Sequence, residues 1–161
     1  MLPLPSLAWN TGVAATTHLL YLHGFRSSPQ SMKAQKVAAR VRAEHPGVTW
    51  WCPQLPPSPA EAMDLVMRGT ANWPRESLAV VGSSLGGFYA RWFSLQTGCP
   101  AVLLNPAPFP ARDLSAYIGE QTAWHAPQER FFFQPGFVDE LKVQQADIER
   151  LAAQRPTTAD D

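Results

Sequence analysis

A serine flanked by two glycines, in the stretch Gly82-Ser83-Ser84-Leu85-Gly86, is the feature of this chain that most directly indicates chemistry. The pattern Gly-x-Ser-x-Gly is typical of a sharp turn between a strand and a helix, which exposes a serine hydroxyl as a nucleophile. Glycine is needed at both flanks because a side chain there would collide with the neighbouring strand and helix. The sequence therefore predicts that Ser84 is the nucleophile of an acyl-transfer reaction and that Gly82 and Gly86 shape its turn.

The residues on either side of this motif favour the same interpretation. Residues 78–81 form a short apolar run that is typical of a buried strand. Apolar residues then recur at the spacing of a single helical face, at Leu85, Phe88, Tyr89 and Trp92. The alternative is a glycine-rich turn that contains two incidental serines, but it does not account for the order of strand, motif and helix.

A second turn, His23-Gly24-Phe25, follows the apolar run 19–22 and supplies the other half of an acyl-transfer site. The tetrahedral intermediate of this reaction carries an oxyanion, which backbone N–H groups stabilise. One donor is expected from the residue after the nucleophile, Leu85, and the other from the loop after an earlier strand, at Phe25. We expect His23 and Gly24 to shape this loop, and we do not expect His23 to transfer protons.

Strand-like and helix-like segments alternate along the chain. Strands are predicted at residues 19–22, 48–52, 78–81 and 101–104. Helices are predicted after Ser28 and Pro29, which resemble an N-cap and a first-turn proline, from about Ala60, after Ser84, and from about 138 to 153. Because each strand is apolar throughout, we expect a parallel sheet with helices on both faces, which is an α/β fold.

Residues 105–137 interrupt this alternation with five prolines and a cluster of aromatic residues. A segment in this position is either a lid over an active site, at about 107–137, or an ordinary packed loop with a short helix, and both alternatives stay open. Residues 18–153 are predicted to form one domain, preceded by a loose extension (1–17) and followed by a polar, disordered tail (154–161).

Composition excludes several classes of protein. The chain has 161 residues, 45% hydrophobic content and no net charge, so we expect a compact enzyme that binds neither nucleic acid nor an anionic membrane. Cys52 and Cys99 are too few for a disulfide framework. The sequence contains no Cys/His cluster at metal-ligand spacing, so neither a metal nor a cofactor is expected. Neither a signal peptide nor a membrane-spanning run is recognisable, so a cytoplasmic location is expected. The oligomeric state stays open.

Four motifs occur in the order found in a known protein family. Residues 21–29, 53–57, 81–90 and 105–107 resemble the YqiA-type bacterial esterases of the UPF0227 family, and residues 141–143 resemble a later, weaker block of that family. The resemblance covers roughly residues 19–143. It implies an α/β-hydrolase fold and esterase activity on short acyl esters, a small-molecule substrate and no cofactor.

The chain departs from this family pattern in the rest of the catalytic triad. In α/β-hydrolases an acid and then a histidine follow the nucleophile, whereas here His125 is the only histidine after Ser84, and Asp139 and Asp147 follow it. We therefore expect a C-terminally incomplete domain without its triad acid and base, rather than His125 as the base. Two functions remain: a serine esterase whose activity in residues 1–161 is weak or absent, and a non-catalytic remnant that binds a small apolar ligand or a protein partner.

Overall fold

The computed structural model describes residues 15–155. Most of the expected N-terminal extension and of the expected disordered tail, residues 1–14 and 156–161, lies outside the described residues. Thr17, which was assigned to the extension, already contacts the sheet. Its N–H donates to the Ser77 carbonyl at 2.9 Å, and its carbonyl accepts from the Thr49 N–H at 2.8 Å. Strand-like hydrogen bonding therefore begins slightly earlier than predicted.

The central sheet has four parallel strands in the order β2-β1-β3-β4. The strands are β1 (His18–Leu22), β2 (Thr49–Trp51), β3 (Leu78–Ser83) and β4 (Ala101–Leu104). All four were predicted, with bounds that differ by up to two residues. The strands β1 and β3 lie side by side with Leu22 opposite Gly82. The loops that follow these two strands therefore meet at one edge of the sheet.

Within residues 15–155, five α-helices connect and cover the strands: α1 (Met32–Glu44), α2 (Pro59–Gly69), α3 (Leu85–Thr97), α4 (Pro110–Leu114) and α5 (Pro135–Ala153). The helices α2, α3 and α5 contact one another, and their apolar side chains share one core with Leu20 and Leu22 of β1. The buried face of α1 and the intervening strand residue Tyr21 are outside that core. Because successive strand residues point to opposite faces, α1 covers the other side of the sheet, and the α/β prediction is confirmed.

The first helix begins later than the sequence suggested. Its N-cap is Ser31, whose Oγ accepts from the Ala34 N–H at 3.2 Å. Ser28 instead accepts from the Gln30 N–H at 3.1 Å, and its carbonyl accepts from the Ser31 N–H. The assignment of Ser28 as the cap was therefore wrong. Both serines can accept a backbone hydrogen bond, and the preceding turn uses Ser28, which leaves Ser31 to cap the helix.

Residues 105–137 contain the short helix α4 and an antiparallel hairpin, which we call the cap hairpin (residues 119–133). Its strands are β5 (Gly119–Thr122) and β6 (Arg130–Phe133). The short helix was part of the packed-loop alternative, but neither alternative anticipated the hairpin. The run Phe131-Phe132-Phe133 has no polar alternation, although Phe133 is buried and Phe132 is exposed. A pattern based on residue type therefore could not identify β6 as a strand with two different faces.

Candidate active site

Ser84 lies at the turn between β3 and α3 with its side chain exposed. Its backbone has φ 56° and ψ −118°, a conformation that is unusual for a residue with a side chain. The Ser84 N–H donates to the Leu104 carbonyl at 3.0 Å, and its carbonyl accepts from the N–H groups of Gly87 and Ala107 at 2.9 and 3.0 Å. The Ser84 hydroxyl does not cap the helix. The turn is thus held by its backbone, and the hydroxyl faces the surface.

The two flanking glycines are required by close backbone contacts. A methyl group added to Gly82 would collide with the carbonyl of Gly86 and lie 2.8 Å from the Cβ of Ala90. A methyl group added to Gly86 would collide with the carbonyl of Leu22 and lie 2.6 Å from the carbonyl oxygen of His23. The glycines therefore allow α3 to pack directly on the backbone of β1 and β3, as the motif predicted.

The turn after β1 lies against the nucleophile turn. A methyl group added to Gly24 would lie 3.3 Å from the Cβ of Ser84 and 3.8 Å from its Oγ. Ser84, Phe25 and Leu85 all line one pocket of about 440 Å³. Within residues 15–155, the N–H groups of Phe25 and Leu85 donate to no protein acceptor. The structure therefore brings the expected nucleophile and both expected oxyanion donors to one pocket.

His23 is buried at the edge of this site, and both of its ring nitrogens are engaged. Nε2 accepts from the Leu55 N–H at 2.9 Å, so the proton of the neutral ring lies on Nδ1, which donates to the Gly24 carbonyl at 2.9 Å. Burial lowers the pKa of His23; the hydrogen bond to Gly24 opposes this shift and nearby His125 adds to it. His23 therefore joins the Gly24 turn to the loop at Leu55 as a neutral ring and is not available to deprotonate Ser84.

His125 lies in the connection between β5 and β6 and is exposed. It lines a neighbouring cleft of about 850 Å³, together with Gly24, Phe25 and Leu85, but not the pocket of Ser84. In the part of the chain that the structure describes, no imidazole hydrogen bonds to the Ser84 hydroxyl. The geometry thus brings Ser84 together with the N–H groups of Phe25 and Leu85, and it does not place His125 within hydrogen-bond reach of the Ser84 hydroxyl.

The two acids that follow His125 have other partners on α5. Asp147 accepts from the Trp92 Nε1 at 3.2 Å and from Arg150 at 3.3 Å. Asp139 is exposed, and its nearest ion pair is with Lys142 at 3.8 Å. These contacts fasten α5 to α3 and stabilise the surface of α5. Neither carboxylate contacts His125, so these residues do not form a Ser-His-acid relay.

Sequence analysis missed the apolar rim of the Ser84 pocket. Met32 from α1 and Trp124 from the cap hairpin line the pocket and are 74% and 67% exposed. Leu114 of α4 adds a buried apolar wall. These residues come from three separate segments, and nothing local to any of them indicates a position beside Ser84. Only the tertiary structure reveals that these apolar residues line the pocket, together with the exposed Lys33 and Asp113.

Other kinds of chemistry have little support in the described residues. Between residues 15 and 155 no group of three His, Cys, Asp or Glu side chains is arranged to hold a metal ion. Burial raises the pKa of the Cys52 thiol to about 11, and burial also raises the pKa of Cys99, so both are poor nucleophiles near neutral pH. In the same residues no helix combines the length and the apolar character that a bilayer-spanning segment requires.

The fold is similar to that of several solved α/β-hydrolases. A metagenome-derived lipolytic enzyme of the LipS and LipT pair matches with 21% identity and a TM-score of 0.59, over 86% of this chain and 68% of that one. Alpha/beta hydrolase domain-containing protein 10 from mouse matches with 15% identity and a TM-score of 0.56, over 80% and 62%. The S-formylglutathione hydrolase FrmB from Staphylococcus aureus matches with 17% identity and a TM-score of 0.53, over 95% and 66%. The chain therefore has the α/β-hydrolase fold and spans about two thirds of the length of these proteins.

A family model gives the more specific assignment. Residues 18–158 match the Uncharacterised protein family (UPF0227). The match covers most of the 161 residues, so the chain belongs to this family. The resemblance found in the four sequence motifs is thereby confirmed.

Proposed function

We propose that this protein is a serine esterase that acts through an acyl-enzyme intermediate. The observation that carries the proposal is that Ser84, Phe25 and Leu85 line one pocket, and that the N–H groups of Phe25 and Leu85 have no protein acceptor within residues 15–155. In the first step a bond forms from Ser84 Oγ to the acyl carbon, the ester bond breaks, and the alcohol leaves with the serine proton. Water then cleaves the acyl-enzyme, which restores the hydroxyl and releases the acid.

The pocket favours a short acyl ester as the substrate. A volume of about 440 Å³ is at the low end for a small-molecule site. The exposed Met32 and Trp124 and the buried Leu114 among its lining residues are suited to an aliphatic group, whereas the N–H groups of Phe25 and Leu85 are suited to the carbonyl oxygen. Trp124 belongs to the cap hairpin, and we infer that this hairpin is the lid of a domain that extends over residues 18–153.

The described residues place no proton acceptor in hydrogen-bond contact with the Ser84 hydroxyl. Loss of the triad base in a serine hydrolase typically costs about 10⁶ in turnover, and an oxyanion hole with substrate binding retains about 10³ over water. Because no imidazole contacts Ser84 in the described residues, we expect stoichiometric reaction with a strong electrophile but slow turnover of esters.

A fluorophosphonate probe tests the nucleophile directly. Ser84 Oγ would bond to phosphorus as fluoride leaves, and the hydroxyl proton would pass to solvent. We expect a single adduct, which peptide mass spectrometry places on Ser84 and which is absent from a Ser84→Ala variant. A Ser83→Ala variant is the matched control, because it removes the adjacent buried serine and should still be labelled. Labelling that persists in Ser84→Ala would overturn the proposal.

The alternative is a non-catalytic α/β-hydrolase-like protein that binds a small apolar ligand or a protein partner. The absence of an imidazole contact at Ser84 within residues 15–155 is the observation that favours it. This alternative predicts no adduct on Ser84 at any probe concentration, together with saturable binding of a small fatty acid in the apolar pocket. Labelling of Ser84 distinguishes the two functions.

A further inference from the structure

Residues 24–27 form a tight turn directly after His23. The Ser27 N–H donates to the Gly24 carbonyl at 3.2 Å, and Arg26, at the third position of the turn, has φ 60°. Among residues with a side chain this conformation is uncommon, and turns of this kind normally carry glycine or asparagine there. An arginine is therefore not explained by the backbone of the turn. Its side chain must account for its presence.

The Arg26 side chain binds the cap hairpin through a forked contact. Its Nε donates to the Thr122 carbonyl at 2.7 Å, and its Nη2 donates to Thr122 Oγ1 at 2.9 Å. The guanidinium carbon also lies 3.7 Å from the centre of the Trp124 ring, a cation–π distance. The backbone N–H of Trp124 donates a hydrogen bond to the Arg26 carbonyl at 2.9 Å. We call this set of contacts between Arg26, Thr122 and Trp124 the arginine clamp.

The neighbouring residue, Phe25, is fixed to the same hairpin by its side chain. Its ring centroid lies 5.2 Å from that of Phe133 and 6.0 Å from that of Phe131, both in edge-to-face geometry. Tyr117, just before the hairpin, makes a third such contact at 5.6 Å. Two consecutive residues of the turn therefore contact the hairpin, by an aromatic cluster and by hydrogen bonds. The Phe25 N–H lies at the start of this anchored segment and next to Gly24, which contacts Ser84.

We propose that Arg26 is a positioning residue for acyl transfer, which holds the Phe25 N–H toward the Ser84 pocket through the arginine clamp. The inference rests on the proposed esterase function and adds a requirement to it. The second oxyanion donor is in place only while the cap hairpin is docked, because the turn that carries this donor is fastened to the hairpin. A planar guanidinium is needed because an ammonium group cannot donate two hydrogen bonds in a fork and stack on an indole at the same time.

The test compares fluorophosphonate labelling of residues 1–161 in four variants, with the maximal rate of inactivation (kinact) and the probe's binding constant (KI) measured separately. Arg26→Gly removes the side-chain contacts of the clamp and keeps the backbone hydrogen bond from Trp124; glycine suits a turn with positive φ, so the protein should remain folded. Arg26→Lys keeps the charge and one donor. Thr122→Val removes only the side-chain acceptor at nearly constant shape. The control is Glu120→Gln, which breaks the exposed Arg130–Glu120 ion pair on the same hairpin.

We expect kinact to fall about tenfold in Arg26→Gly with KI unchanged, since complete loss of an oxyanion donor costs about 10²–10³ and a misplaced donor costs less. Arg26→Lys should recover part of the rate, Thr122→Val should lose about twofold to threefold, and Glu120→Gln should match the wild type. Thermal unfolding of each variant checks that the folded state is intact at the assay temperature. If Arg26→Gly does not fold, Thr122→Val carries the test alone.

Each contrary result has a definite meaning. If wild-type Ser84 is not labelled at all, the esterase proposal fails and the role of Arg26 fails with it. If the wild type is labelled and folded Arg26→Gly or Thr122→Val has the wild-type kinact, only the positioning role is overturned. The positioning role is also overturned if Arg26→Lys restores the full rate, because the fork would then be unnecessary, or if the loss appears in KI alone.

Discussion

The substitution Gly86→Ala tests most directly whether the packing at the nucleophile turn is as tight as the structure indicates. The added methyl group would meet backbone atoms at the end of β1 and in the turn that follows it, including the Leu22 carbonyl carbon at 2.5 Å and the His23 carbonyl oxygen at 2.6 Å. Ordinary van der Waals contact begins at 3.4 Å, so α3 would have to withdraw from β1 by more than 1 Å to clear the Leu22 carbonyl oxygen. Backbone atoms in a central strand cannot rotate away as a flexible side chain can.

The expected destabilisation is about 2 kcal/mol. Overpacking of a tight site costs about 1–3 kcal/mol, and a clash with sheet backbone belongs at the upper end of that range. Alanine regains up to about 1 kcal/mol relative to glycine in a helix, which offsets part of the cost. Movement of the α3 N-terminus also shifts the Leu85 N–H, so the fluorophosphonate labelling rate should fall even in the fraction that remains folded.

Urea unfolding followed by tryptophan fluorescence measures the effect on stability. With a slope of about 2 kcal/mol per molar urea, the midpoint should fall by about 1 M in Gly86→Ala. Gly136→Ala is the matched control, because a methyl group there meets no atom within 4 Å and its site lies in the first turn of α5. The control should be neutral or slightly more stable than the wild type. The packing argument would be refuted by a Gly86→Ala protein within about 0.5 kcal/mol of the wild type, which is the scatter typical of surface substitutions.

Two further predictions concern histidines. Burial lowers the pKa of His23, so the unfolded chain takes up a proton below its ordinary pKa of 6.5 while the folded chain stays neutral. The stabilising contribution is therefore fully present above that pH and lost as pH falls toward the lowered value, and His23→Gln should show a smaller decrease in unfolding free energy on acidification to about pH 5. The second prediction concerns His125: residues 1–161 should turn over p-nitrophenyl acetate about 10⁶ times more slowly than an enzyme with a complete triad. Fast hydrolysis that His125→Ala abolishes would instead make His125 the base.

The parts of this protein that the sequence predicted correctly depend on local patterns. The two inner strands, β1 and β3, are mostly apolar and mostly buried, because a parallel sheet covered on both faces buries both sides of such strands, whereas the edge strands β2 and β4 are more exposed. The turn at Ser84 was recognisable from its glycines, because a side chain at either position would collide with the neighbouring backbone in any protein with this turn. The His23 turn was expected beside it because the second oxyanion donor of such a site comes from the loop after an earlier strand. The α/β class and the family could thus be predicted from the sequence alone.

Features that depend on contacts between distant segments were not predictable in this way. The cap hairpin was missed because the aromatic run of β6 shows no alternation of residue type, although its environment alternates between buried and exposed. The choice of Ser31 over Ser28 as the helix cap depends on which serine the preceding turn uses. Arg26 and Thr122 are 96 positions apart, and neither residue carries a local signal of the contact.

What the sequence determined by itself is therefore the scaffold and the identity of the candidate nucleophile, since both rest on residue types that local geometry requires. Only the tertiary structure decided what the surrounding polar groups can do. His23 lies next to the site in sequence and in space, but the Leu55 N–H, 32 positions away, occupies the nitrogen that a general base would need. In the sequence Arg26 cannot be distinguished from an ordinary surface arginine; the acceptors of its side chain, both on Thr122, belong to the cap hairpin. The physical reason is that a side chain's chemistry depends on its hydrogen-bond partners, and here those partners come from segments that only folding brings together.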